Sequence, residues 1–261
     1  MFPYTQEVIN TFTTPHGKIS LRSNEAIIGN EFKKGNYWDS EELELLKEYI
    51  DPTRNILEVG GHCGTNSIVY ASYLKKPSKL FVYEPQVNMY DLLVKNINQN
   101  NLQDTIIPYN SGVFCYNGRG SMDWQDLDTG GDVKQRYTTE SDHGCNFGGV
   151  GIGDGGEAID LTTIDSMGHD NIGFIHCDAQ GAEPFLFSQA RETIKRDRPV
   201  ILYENVECDE RVFFNTVLKA HPEYAKESQF DIKEYCINEL NYKLPSSGNW
   251  GGWNILLLPG A

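Results

Sequence analysis

The sequence predicts an α/β fold on a mainly parallel sheet, and three observations carry that expectation. Short apolar runs alternate with stretches of helical composition from about residue 40 onward. The first run, Asn55 to Val59 (NILEV), feeds a glycine-rich turn that opens a helical stretch. Three later runs each hand over to a carboxylate, at Glu84, Asp178 and Glu204.

In chain order, residues 1–37 mix Thr, Pro, Gly and charges with short alternating pieces such as 18–22, which suggests a small hairpin or extended arm without evident chemistry. Ser40, Glu41 and Glu42 ahead of Leu43, Leu45, Leu46, Tyr49 and Ile50 read as an N-cap, an acidic first turn and an apolar face. That helix should end at Asp51-Pro52, which closes an N-terminal arm and helix over 1–52. Strand 55–59, helix 67–75, strand 80–83, helix 87–98 and strand 105–109 follow. Strands 173–177 and 200–203 bracket a helix near 182–195, and 253–258 (WNILLL) is a terminal strand that completes an antiparallel hairpin at the sheet edge.

Between 117 and 158 the texture breaks into glycine, acid and amide residues. An irregular stretch of that length is unusual inside a compact domain and reads as a lid-like insertion. It holds Trp124, Tyr137, Asp123, Asp126 and Asp128, rings and carboxylates that suit a sugar as well as a solvated loop. A formal Gly-x-Gly-x-x-Gly at Gly151, Gly153 and Gly156 lacks the strand before and helix after that a nucleotide site needs, so it reads as loop composition. The whole, residues 1–261, reads as a single domain.

Composition narrows the partners. A balance of 22 Lys+Arg against 37 Asp+Glu gives a net charge of −15, which repels phosphate backbones and anionic membranes, so nucleic acid is not expected. Cys63, Cys115, Cys145, Cys177, Cys208 and Cys236 form no Cys-x-x-Cys pair and read as reduced, mostly buried thiols. The start, MFPYTQEVIN, lacks the pattern of a signal peptide, and no apolar run approaches membrane-spanning length, so a cytoplasmic protein without membrane insertion is the expectation.

The turn Glu58-Val59-Gly60-Gly61-His62-Cys63-Gly64 places backbone amides at the carboxyl end of the sheet, where nucleotide-type ligands bind. Glu84 ends the second strand about 20 residues past the turn, as an acceptor for ribose hydroxyls should. That spacing fits NAD or S-adenosylmethionine. Glu58 helps to separate them, because a carboxylate ahead of the glycines suits a cationic amino-acid moiety. Asn110, Ser111 and Gly112 follow the third strand, where the chain would meet an adenine or make an ordinary turn. His62 reads as a turn residue touching cofactor.

The acid-x-Gly turn, Glu84-Pro85, and Asp178-x-x-Gly181-Ala182-Glu183 together resemble the FkbM family of methyltransferases over roughly residues 53–206. Asp165, Arg198, Pro199 and Glu204 match as well, in the expected order, while Gly61-His62, His176 and Ala179-Gln180 depart from the family's usual residues. The resemblance implies a Rossmann-like class I methyltransferase fold with a mainly parallel seven-stranded sheet, helices on both faces and a C-terminal antiparallel hairpin. It implies S-adenosylmethionine as methyl donor and O-methylation of a sugar hydroxyl on a glycan or glycoconjugate, with association with a glycosyltransferase as a further option.

Methyl transfer needs alignment and water exclusion more than covalent chemistry. A sugar hydroxyl is a weak nucleophile until its proton is removed. Asp178 and Glu204 end neighbouring strands, and His176 shares Asp178's side by strand alternation, so Asp178 is the expected base or ligand, with Glu204 and His176 assisting. The same two carboxylates suit a divalent ion such as Mg²⁺, though two protein ligands fall short of a site. His176 reads equally as a hydrogen-bonded core histidine, His221 is a weaker option, and His16, His143 and His169 look incidental. Trp250 and Trp253 either stack on a pyranose or pack the sheet edge. An NAD-dependent oxidoreductase and a non-catalytic binding module on the same fold are the competing readings. Oligomeric state is left open.

Overall fold

The computed structural model describes residues 9–126, 144–205, 217–246 and 253–260. Cys208, Asp128, Tyr137, His143, Trp250 and the turn at 247–252 lie outside these residues, and of Trp124 and Asp126 only the backbone is described.

The central sheet grows from apolar runs that the chain lays side by side in one direction. β3 (Asn55–Val59), β4 (Leu80–Tyr83), β5 (Ile106–Tyr109), β10 (Ile172–Cys177) and β11 (Val200–Glu204) are parallel neighbours in the order β11-β10-β3-β4-β5. β13 (Asn254–Pro259) joins β11 antiparallel and β12 (Tyr242–Lys243) pairs on β13, which completes seven strands with the hairpin at one edge. All six residues of β10 are buried, as a central strand covered on both faces requires.

Strand alternation divides the core in two. Ile56, Val82, Phe174, Leu202 and Leu256 pack with α2 (Ser40–Leu46), α3 (Thr65–Tyr73) and the Leu93 side of α4 (Val87–Gln99). Leu57, Ile175, Ile201 and Leu257 face the other way, against α5 (Glu183–Ser188), α6 (Arg191–Asp197) and α8 (Ile232–Leu240). α7 (Val217–Ala220) precedes a 3-10 segment at Pro222–Gln229.

Several expectations change in detail. The residue ahead of α2 is Asp39, in a left-handed conformation, and Ser40 is its first helical residue rather than its cap. The helix expected near 182–195 is two helices, α5 and α6, parted at Gln189 and Ala190. The N-terminal segment is the expected hairpin, β1 (Ile9–Thr14) with β2 (Gly17–Arg22), followed by a short helix, α1 (Ile28–Lys33). Buried Asn96 of α4 clamps the hairpin: its amide donates to Ser20 O (3.0 Å) and Cys63 O (2.7 Å), and its oxygen accepts the Ser20 N–H (2.7 Å).

The largest departure is in the stretch expected to be irregular. β7 (Gly118–Asp126), β8 (Val150–Ile152) and β9 (Gly155–Thr162) form a second, four-stranded sheet with β6 (Gly112–Val113), in the order β6-β9-β7-β8. The glycines serve close strand approach. A Cβ on Gly156 would lie 2.3 Å from Met122 O, and one on Gly120 2.7 Å from Leu161 Cδ1.

Candidate active site

The chain lays β3, β4 and β5 outward on one side of β3, then returns to place β10 and β11 on the other side. The strand order therefore reverses between β3 and β10, and a crevice opens beyond their carboxyl ends. The two strand ends meet there: Asp178 N–H donates to Val59 O (3.0 Å), and a Cβ on Gly60 would lie 1.9 Å from the Asp178 carbonyl oxygen. Gly60 has φ +85°, so glycine is required on both steric and conformational grounds. The Gly60 and Gly61 amides both donate to Tyr83 O, and the turn delivers Gly64, at φ +88°, to the start of α3.

A cleft fills this crevice. Glu58, Gly60, Gly61, His62, Glu84, Pro85, Gly112 and Asp178 line it, bringing together most of the residues expected at the cofactor site. Gly64 stands behind the turn against Leu93. Asn110 and Ser111 do not line the cleft. Asn110 Nδ2 donates to the carbonyls of Glu84 (2.9 Å) and Pro85 (3.0 Å), and Ser111 Oγ donates to Asp160 O (3.0 Å), so both side chains brace the turns around it.

Glu84 is buried and fixed at both oxygens. Oε2 accepts the His62 N–H (2.7 Å) and Oε1 the Gln86 N–H (2.8 Å), which leaves each oxygen a further lone pair for a ligand hydroxyl. Burial outweighs those two bonds and raises its pKa to about 7. Glu58 lies deeper: Ser67 Oγ donates to its Oε2 at 2.5 Å, and burial raises its pKa to about 8. His62 takes a left-handed φ of 46°, and its buried ring lacks a hydrogen-bond partner at either nitrogen; Glu25 Oε2 is 4.0 Å away. Burial lowers the His62 pKa to about 4, so it is a neutral ring facing a polar cleft.

His176 stands apart from the reacting edge. In register it pairs with Glu58 and lies on the α3 face, 6% exposed, with Tyr70 Oη 3.3 Å and Glu58 Oε1 4.0 Å from Nδ1. It lines neither the cleft nor the groove beside it. Alternation predicted its face but not its depth, and the role it can fill is a buried support for Glu58. His221 stacks near Tyr116 and Tyr224, away from the cleft, and His169 lies flat on Phe81 at 3.8 Å between ring centres.

Asp178 stands exposed where the cleft opens into a wide groove, and it lines both. Gln180 holds the two strand-end carboxylates together: its Nε2 donates to Asp178 Oδ1 (3.0 Å) and Glu204 Oε2 (3.4 Å). The groove is acidic and aromatic, with Asp39, Glu42, Asp178, Glu204, Trp38 and Trp253 in its walls, and no lysine or arginine among the described residues that line it. Asp39 is raised to about 7, first by burial and then by the charges of Glu42 and Asp178. Trp253 is 69% exposed, so the groove wall rather than core packing is its place.

Sequence reasoning missed much of the enclosure. Trp38, just ahead of α2 and given no role from sequence, borders cleft and groove alike, and Met122, Val150 and Ile152 of the second sheet wall the cleft. Gly151 lines it too, so the glycine-rich stretch takes part as a strand and not as a phosphate loop. Among the described residues, no group of three or more His, Cys, Asp or Glu side chains is gathered as a metal ion would need.

A family model described as the methyltransferase FkbM domain matches residues 58–243. No curated protein matches the chain. Among solved structures, the methyltransferase FkbM of Methylobacillus flagellatus KT is 14% identical, covers 80% of this chain and 44% of its own, and has a TM-score of 0.48. This chain thus spans less than half of that protein. An O-methyltransferase of Bacillus cereus, solved with SAH, is 19% identical over 84% of this chain and 79% of its own, at a TM-score of 0.45. An O-methyltransferase of Streptomyces achromogenes involved in tomaymycin synthesis, solved with SAM, is 13% identical over 89% of this chain and 86% of its own, at 0.45.

Proposed function

The chain belongs to the FkbM methyltransferase family, and from that premise we propose that it transfers the methyl group of S-adenosylmethionine to a hydroxyl oxygen of a carbohydrate or glycoconjugate. The observation that carries this reading is the convergence of Glu58, Glu84 and Asp178 on one cleft at the reversal of strand order. The unpartnered ring of buried His62 in the same cleft fits a ligand with polar groups.

When bound, S-adenosylmethionine supplies an electrophilic methyl on a sulfonium. Glu84 is placed to accept the two ribose hydroxyls, with its orientation fixed by the His62 and Gln86 amides. Glu58 offers buried negative charge to the cationic amino-acid moiety, with His176 and Tyr70 packed behind it. Gly60, Gly61 and Gly112 give the ligand close backbone approach, and Pro85 and Met122 help to exclude water. Asp178, at the junction of cleft and groove, takes the acceptor proton as general base, and the negative charge of Glu204, tied to it through Gln180, favours that proton uptake.

The partners follow as parts of the same proposal. The aromatic and carboxylate walls of the groove support a sugar acceptor, whereas the net charge of −15 disfavours nucleic acid. No helix of the described residues is long and apolar enough to cross a membrane. The five described cysteines are buried thiols, which supports a reducing, cytoplasmic setting; association with a glycosyltransferase is a further part of the proposal. The second sheet serves as a wall of the cleft through Met122, Val150 and Ile152.

Two measurements test the reading together. Calorimetric titration with S-adenosylhomocysteine should show micromolar binding and titration with NAD none; NAD binding alone would reverse the cofactor assignment. Asp178→Asn should lower transfer by at least 10²-fold, the usual scale for a general base, while leaving S-adenosylhomocysteine affinity near wild type. Full activity in that variant would remove Asp178 as base.

A further inference from the structure

A second recess lies on the far side of Glu204 from the groove, between the end of β11 and the starts of α5 and α8. Glu183, Tyr203, Glu204, Phe230 and Asp231 line it. Glu183 opens α5 and is only 2% exposed. Its Oε1 accepts the Ala179 N–H at 2.7 Å, whereas its Oε2 has no hydrogen-bond partner. A buried carboxyl oxygen without a partner is costly, and burial raises the Glu183 pKa to about 8, so without a ligand it holds a proton at pH 7 whose place a cationic donor would take.

The surroundings define what would satisfy it. Three carboxylates border the recess against one lysine, Lys233, at its exposed rim, so a donor carrying positive charge is favoured. The described side chains assemble no metal-ligand group there. An organic ammonium has three N–H donors for carboxylate oxygens, and the Tyr203 and Phe230 rings give its carbon frame an aromatic wall.

The recess is also coupled to the reacting edge. Glu204 lines both recess and groove, and Gln180 joins Glu204 to Asp178. We propose that the Glu183 recess seats the ammonium group of the methyl acceptor, which makes that acceptor a hydroxylated amine, an amino sugar in the simplest case, with its hydroxyl at Asp178. This rests on the carbohydrate-acceptor reading above and narrows it: the N-acetylated form of the same sugar should be rejected, because acylation removes the charge and leaves Glu183 unsatisfied.

The test uses the full chain saturated with S-adenosylhomocysteine, titrated with glucosamine, N-acetylglucosamine and glucose at pH 7 and constant ionic strength, with binding read by ligand-observed NMR. Glucosamine should bind at least tenfold more tightly than the other two, and Glu183→Gln should erase that preference without changing S-adenosylhomocysteine affinity. Glu204→Gln, at a half-exposed position where folding is not at stake, should reduce the preference as well. Equal binding of the three sugars, no saturable glucosamine binding, or a preference that survives both substitutions overturns the proposal. S-adenosylhomocysteine binding in the same samples reports separately on the cofactor reading.

Discussion

Glu58 shows how burial turns a carboxylate into a pH-sensitive part of a binding site. Its hydrogen bond from Ser67 favours the ionised form, but loss of solvent outweighs that bond and holds its pKa at about 8. A cationic ligand moiety beside it favours the ionised form, so below that pKa binding must first expel a proton. S-adenosylhomocysteine affinity should therefore fall as pH is lowered from 8 to 6, by up to about tenfold per pH unit. Glu58→Gln should bind more weakly at pH 8 and show a flatter profile, the remaining slope coming from Glu84. Calorimetry at three pH values in wild type and variant decides it; identical slopes would sever Glu58 from the cofactor. The identity of this carboxylate was legible in the sequence, because a turn of that composition announces itself. Its partner was not. Nothing in FIHCD distinguishes a histidine at the crevice from one covered by Tyr70, since period-two alternation gives a face and no depth. Gln180 was likewise visible only as a departure from a family pattern. Its bridge between Asp178 and Glu204 depends on the spacing of two strand ends, which no local pattern encodes.

Between elements, much of the order comes from side chains that satisfy a neighbour's backbone. Asp165 sits in the 3-10 turn Ile164–Met167, and its two oxygens accept the Glu192 (3.1 Å) and Thr193 (2.8 Å) amides. The residue preceding α6 is Ala190, which brings no capping side chain, so Asp165 caps that helix from outside it. Replacing it with Ala should cost about 1 kcal/mol and lower Tm by about 2–4 °C in a chain of this size. Asp165→Asn, which keeps an acceptor oxygen, should lose less. A calorimetric scan of the three proteins checks it, and an unchanged Tm for the alanine variant would show that water replaces the cap without loss. Arg198 acts similarly, reaching Leu240 O and Gly260 O (3.2 Å) and stacking on Tyr242, so that it ties the end of α6 to the C-terminal hairpin. Parallel strands such as NILEV and LFVY were readable because apolar runs of that length suit little else. β7, with sequence GRGSMDWQD, was not, because glycine and acidic residues are poor strand formers. The backbone approach those glycines permit carries the pairing instead.

Across the whole molecule, the buried carboxyl groups with raised pKa line the cleft and the recess, and together they set how stability depends on pH. Glu58 and Glu183 titrate at about 8 and Glu84 at about 7, all raised primarily by burial. In the unfolded chain each would titrate near the ordinary carboxylate range. Between about pH 5 and 8 the folded state therefore holds protons that the unfolded state lacks, and stability falls as pH rises. The buried histidines oppose this only at lower pH. His62 and His176 are depressed to about 4, so they cost stability as pH drops below their unfolded value of about 6.5 and are silent above it. The net charge of −15 acts in the same direction as the carboxylates, since partial protonation relieves self-repulsion. The ligand-free protein should accordingly melt a few degrees higher at pH 6.5 than at pH 8.0, and the double variant Glu58→Gln, Glu183→Gln should show a smaller difference. Scanning calorimetry at the two pH values measures both. A higher Tm at pH 8.0 in wild type would mean that these carboxylates are ionised in the folded chain, with water or solvent cations reaching them through the cleft and the recess.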